Sequence, residues 1–248
     1  AGEVASKIAR DTFIERIRSG ESHTQAALSA HSQIVLSADM HEAQSGMGST
    51  IAAMQIINDQ AALVWVGDSR VYLWRAGHLS VVTRDHSYVQ TLINQGHLSD
   101  ATARNHPKRN MVTQVLGLGD PEPETKHLRL MSRDWLVLCS DGLNDKLTDG
   151  EIAELLESTE DVSNVAELLV SKAVQNGGRD NVSVIAVEYE DPSESKKNTA
   201  HTTREATAHS VLPAIQKPMR TFLRSPLFLA LITALALFST FWIVIGLT

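Results

Sequence analysis

The sequence predicts an α+β sandwich in which helices cover sheet faces, followed by a linker and one C-terminal transmembrane helix. Three observations carry this reading. Two helix-period stretches open the chain, short apolar strands bounded by turn residues fill its middle and return before residue 190, and no charged residue occurs from Ser225 to Thr248. With 248 residues, 43% hydrophobic and 21% charged, the chain can bury one sizeable core.

Residues 3–18 place Val4, Ile8, Ile14 and Ile17 at helical spacing, and residues 22–39 do the same with Ala26, Leu28, Ile34 and Leu36. Strands are expected at Ile51–Ile57 and Ala61–Val66, joined by a tight turn at Asn58-Asp59, and again at Val71–Trp74 and Leu79–Val82 around Ala76-Gly77. Residues 86–104 read as two short helices separated at Gly96. Trp135–Cys139 is a run of non-polar residues suited to a strand buried on both faces. Two helices then span residues 149–175, the first capped by Thr148 or Asp149, and Val182–Tyr189 alternates into a last strand.

From residue 191 to 221 the composition turns to Pro, Ser and Thr with little apolar periodicity, which reads as a disordered linker that ends the domain of residues 1–190. Leu227–Leu247 is long enough to cross about 30 Å of hydrocarbon as a helix, so residues 222–248 are expected to be a membrane anchor. Lys217, Arg220 and Arg224 precede it and nothing charged follows, which places the domain on the cytoplasmic side.

A net charge of -7 excludes the basic stripe of a nucleic-acid binder. The single cysteine, Cys139, supports no disulfide framework and reads as a buried thiol inside a strand. It is a poor candidate nucleophile, because a reactive thiolate sits at an accessible loop before a helix rather than inside a buried strand.

Acidic residues recur at the ends of apolar strands beside small residues, the setting in which a hard divalent cation finds close carboxylates. The places are Asp85 in Thr83-Arg84-Asp85-His86-Ser87, Asp141 in Ser140-Asp141-Gly142-Leu143, and Asp180 in Gly178-Arg179-Asp180-Asn181. Each alone also suits a capping or turn residue. Asp68, between Gly67 and Ser69, is expected to take local backbone hydrogen bonds, with Arg70 pairing it or another carboxylate. His86 is expected to stand behind a ligand rather than to be one.

Taken in order, these strings resemble the metal-dependent PPM-type (type 2C) serine/threonine protein phosphatases over nearly all of residues 1–190. The matching motifs are Ala1–Ser6, Gly46–Thr50, Val66–Tyr72, Thr83–Ser87, His106-Pro107 with Arg109-Asn110 and Leu116-Gly117, Ser140–Leu143, and Gly178–Asn181. The resemblance implies an α-β-β-α sandwich of two packed antiparallel sheets flanked by helices, with the metal site at one end of the sheets. It implies that Asp141 and Asp180 bind two core Mn2+ or Mg2+ ions. Asp85 would help Asp141 hold a third ion, with Asp68, Arg70, Asn181 and His86 in supporting places. Residues 88–105 would form a mobile flap that influences substrate choice.

The implied reaction is hydrolysis of phosphoserine and phosphothreonine in proteins by a metal-activated water, opposing a serine/threonine kinase at a bacterial inner membrane. The family's Asp-Gly metal pair, its phosphate-gripping arginine and its first strand do not precede the match at Gly2-Glu3, and the chain opens on Ala1. The sequence therefore reads as a member lacking its N-terminal segment. An inactive, membrane-tethered phosphoprotein-binding module is the alternative reading, and a purely structural membrane protein the third.

Overall fold

The computed structural model describes residues 1–178 and 180–191, together with the backbone of His209–Val211 and Thr240–Leu247. Helices α1 (Gly2–Arg18) and α2 (His23–Met40) come first, then strands β1 (Thr50–Ile57), β2 (Gln60–Val66), β3 (Arg70–Arg75) and β4 (His78–Val81). The short helices α3 (Tyr88–Asn94) and α4 (Asp100–Ala103) precede β5 (Glu124–Arg129) and β6 (Asp134–Cys139). Helices α5 (Asp141–Asn144), α6 (Asp149–Glu157) and α7 (Val162–Gln175) lead to β7 (Val182–Tyr189), β8 (His209–Val211) and β9 (Thr240–Leu247).

Two antiparallel sheets form, one ordered β5-β2-β1-β9 and the other β4-β3-β6-β7-β8. The two-residue period of a strand sorts its side chains between layers. Ala52 and Met54 of β1, Leu63 and Trp65 of β2, and Leu136 and Leu138 of β6 fill the space between the sheets. Their neighbours turn outward. Ile51, Ala53, Val64 and Val66 meet α1 and α2, while Val137 and Cys139 meet α5, α6 and α7. Both faces of Trp135–Cys139 are buried, as its unbroken apolar run requires.

The face that α1 and α2 bury is only partly the one that their aliphatic residues suggest, since Ile17 and Ile34 are in the core but Val4 and Leu36 are not. Ala5, Ala9, Phe13 and Ile17 of α1 and Ala26, Ala27, Ala30 and Ile34 of α2 are buried, whereas Val4 is 38% and Leu36 49% exposed. Alanines let the two helices and the sheet approach closely, so the small residues hold the core positions.

Two short stretches of the C-terminal part carry strands. Within the stretch read as a disordered linker, His209–Val211 pairs with Val182–Val184 of β7. Thr240–Leu247, read as the end of a transmembrane helix, is a strand paired along the whole length of β1, from Thr50↔Leu247 to Ile57↔Thr240. Phe, Trp, Ile and Val at 241–245 are strand formers, and β1 offers an edge of unpaired amides and carbonyls for them to satisfy. Residues 212–239, with the rest of the expected anchor, lie outside the described residues. Among the described residues no helix is long and apolar enough to cross a membrane.

Candidate active site

Strand register builds the site. Arg70 at the start of β3 pairs with Cys139 at the end of β6, so the Gly67-Asp68-Ser69 turn lies beside Ser140-Asp141. Cys139 pairs in turn with Val184 of β7, and Ser140 is stitched to the next turn by three bonds. Its N–H donates to Ser183 O at 3.0 Å, its Oγ donates to Asn181 O at 3.2 Å, and its Oγ accepts from the Ser183 N–H at 3.0 Å. Asp68, Asp141 and Asp180 thus stand at the same end of three neighbouring strands. Asp85 joins them from the turn after β4, where the His86 N–H donates to Gly67 O at 2.9 Å and His86 Nδ1 accepts from the Gly67 N–H at 3.3 Å.

Two glycines permit these close approaches. Gly67 has φ +109°, and a Cβ there would lie 2.3 Å from Thr50 Cγ2. A Cβ on Gly142 would lie 2.4 Å from Asn181 O, so the aspartate turns of β6 and β7 meet only because residue 142 has no side chain.

The cluster is strongly negative. The Asp68 carboxyl is pushed up to about 7 by burial and then by the charges of Asp141 and Asp85. Burial, Asp180 and Asp145 push Asp141 up in the same way. Asp85 is held differently. Arg70 donates from Nε at 2.9 and 3.1 Å and from Nη2 at 2.7 Å, which occupies both of its oxygens. Behind the pair, Arg70 Nη1 lies 3.4 Å from the Tyr72 hydroxyl, which reaches Asn144 Oδ1 and Asp149 Oδ1, each at 3.0 Å. Asp180 is exposed and its Oδ1 accepts from the Asn181 N–H at 2.8 Å.

A cleft of about 570 Å³ opens beside these residues, walled by Val89, Ile93 and Ala101 of the segment after β4 and edged by Arg84, Arg104 and Arg109. An all-oxygen donor set suits Mg2+ or Mn2+, and the mutual repulsion of Asp68 and Asp141 is relieved by a cation. Among the described residues no three histidine, cysteine, aspartate or glutamate side chains converge as a shell. The cluster therefore fits as part of a shell, for an ion that keeps several waters.

The register brings the Asp141 and Asp180 turns together, with Asp85 nearby but engaged by Arg70. Asp68, expected to take local backbone hydrogen bonds, also lines the cleft. His86 is 6% exposed, with Nε2 3.1 Å from Glu124 Oε1, so it braces the Asp68 turn from behind. Asn181 contributes its backbone carbonyl. Tyr72, Asn144 and Asp149 were not anticipated. The one signal for them is Asn144 standing three residues after Asp141, on the same short helix. Cys139 is fully buried and its thiol is pushed up to about 12 by burial, which removes it as a nucleophile.

The protein phosphatase 2C profile matches residues 1–174. The chain is 34% identical over 203 residues to the serine/threonine phosphatase stp of Listeria welshimeri, covering 76% of this chain and 79% of that protein. It is 35% identical over 166 residues to the serine/threonine protein phosphatase PstP of Mycobacterium tuberculosis, covering 67% of this chain and 32% of that protein. A crystal structure of the latter superposes with TM-score 0.71 at 32% identity, over 76% of this chain and 82% of that one. The catalytic domain of a serine/threonine protein phosphatase PstP in complex with two manganese ions superposes with TM-score 0.68 at 30% identity, over 76% of this chain and 82% of that one. Fold, aspartate turns and sequence agree, and the chain belongs to the protein phosphatase 2C family.

Proposed function

We infer that this protein hydrolyses phosphoserine and phosphothreonine in proteins with the help of Mn2+ or Mg2+. The observation that carries the reading is the register of β3, β6 and β7, which sets three aspartate-bearing turns side by side, with Asp68 and Asp141 lining a cleft. Asp141 and Asp180 would hold the metal, with Asp68 adjoining. The bound ion supplies an acidified water and neutralises charge on the phosphoryl oxygens. Arg70 keeps Asp85 oriented at the cleft, and Gly142 keeps the Asp141 and Asp180 turns in contact. Arg84 and Arg109, exposed at the rim, favour an anionic substrate over a neutral one.

The test is Mn2+-dependent phosphate release from a phosphothreonine peptide by the full chain, with Asp141→Asn alongside. The expected result is hydrolysis that falls by at least about a hundredfold in the variant. A folded protein that retains the peptide without hydrolysing it would establish the inactive binding module instead. That second reading is favoured by the absence of a three-ligand shell among the described residues.

The proposal extends to an arrangement in three parts: a catalytic domain of residues 1–190, a linker of 191–221, and an anchor of 222–248 in a bacterial inner membrane. The domain then faces the cytoplasm and opposes a serine/threonine kinase. The uncharged run from Ser225 and the cations before it support this arrangement. In a bilayer the run has to satisfy its own backbone hydrogen bonds, which favours a helix over the pairing with β1.

A further inference from the structure

The segment between β4 and β5 carries α3 and α4 across the cleft, and its base is fixed by ordinary backbone bonds. Tyr88 N–H donates to Met111 O at 2.8 Å and Thr113 N–H to His86 O at 2.7 Å. Beyond that base, among the described residues, the hydrogen bonds joining residues 89–110 to another element come from one side chain. Arg104, which follows α4, donates from Nη2 to Asn144 O at 2.7 Å and to Leu147 O at 2.5 Å. Both acceptors lie at the end of α5 and in the turn after it, and α5 opens on Asp141.

Asn144 is itself fixed. Its Oδ1 lies 3.0 Å from the Tyr72 hydroxyl and 3.5 Å from Cys139 Sγ, so the carbonyls that Arg104 grips belong to a rigid part of the molecule. The carbonyls at a helix end lack partners within the helix, and a guanidinium satisfies two of them with one charge. The segment also lines the cleft with Val89, Ile93 and Ala101, which offer apolar contact, and with Gln90, Asp100, Arg109 and Asn110, which offer polar contact to a substrate.

We propose that Arg104 is a positioning residue that latches the α3–α4 segment onto the α5 turn, fixing the cleft wall against which a protein substrate lies. The proposal rests on the phosphatase reading for its kinetic consequence, but not for its structural one. A small aryl phosphate needs only the aspartate cluster, whereas a phosphopeptide also needs the wall, so the latch discriminates between them.

The experiment compares the full chain with Arg104→Ala and Arg104→Lys by amide hydrogen exchange and by kinetics on a phosphothreonine peptide and p-nitrophenyl phosphate. In the alanine variant, exchange across residues 89–103 should quicken by about tenfold with the sheets unchanged. The peptide KM should rise by about tenfold and the aryl phosphate KM by less than about threefold. Lysine, which retains the charge but not the fork, should fall between. Unchanged exchange in the segment, equal shifts for both substrates, or a uniform quickening over all elements would overturn the latch. A wild-type chain without hydrolysis would count against the phosphatase reading alone, and the exchange profile would still decide the role of Arg104.

Discussion

At residue 142 the space for a Cβ is already taken by Asn181 O, only 2.4 Å away. Gly142→Ala should cost about 1–3 kcal/mol in a urea melt, because the intruding methyl has to push one aspartate turn from the other. The same shift should weaken Mn2+ binding, which calorimetry on the variant would show. Asp68 makes a different prediction. Its carboxyl titrates near 3.8 when free and near 7 in the folded, metal-free protein, so between those values the folded state holds a proton that the unfolded chain has lost. Stability from this group is therefore greatest at low pH and falls as pH rises through that window. Asp68→Asn should remove its share of the slope in a melting-temperature profile from pH 4 to 8, and an unchanged slope would count against the burial argued here. Asp141 and Asp180 were readable because each sits in a short string of distinctive neighbours. The position of Asp68 beside Asp141 was not readable, because it comes from cross-strand pairing of Arg70 with Cys139, a contact that no local string reveals.

Elements with a large apolar content were legible, and those without were not. Trp135–Cys139 and Val182–Tyr189 show their strands through hydrophobic runs and alternation. Glu124–Arg129 does not, since Glu124, Thr125, Lys126 and His127 are all exposed and the strand is defined by its pairing with β2. Helix α5 has four residues, too few for a period to show. The start of α6 was readable. Thr148 Oγ1 accepts from the Glu151 N–H at 3.1 Å, and Glu151 Oε2 accepts from the Thr148 N–H at 2.8 Å, a reciprocal cap spelled out in the sequence. Thr148→Ala should cost about 1 kcal/mol, measured by denaturant unfolding, with the loss concentrated in exchange at the first turn of α6.

For the whole molecule, the layer order follows from strand parity, because alternate residues of β1, β2 and β6 supply the inter-sheet core and the two helix-facing cores. What parity cannot settle is the partner of an open edge. Thr240–Leu247 cannot be at once the eight-residue strand beside β1 and part of a membrane-spanning helix. Deleting residues 222–248 should therefore quicken amide exchange along Thr50–Ile57 in aqueous buffer, and reconstitution of the full chain into vesicles should do the same. Protection of β1 that ignores both manipulations would mean that the pairing contributes nothing to stability.

The opposite border of that sheet is β5, where Glu124, Lys126, His127 and Arg129 are exposed. A strand edge lined with charged side chains is a poor template for a second molecule, since a copy laid against it would have to strip water from them. The polarity that hid β5 from sequence reading thus serves as a guard against edge-to-edge aggregation, and neutralising those side chains would endanger solubility before it disturbed the fold.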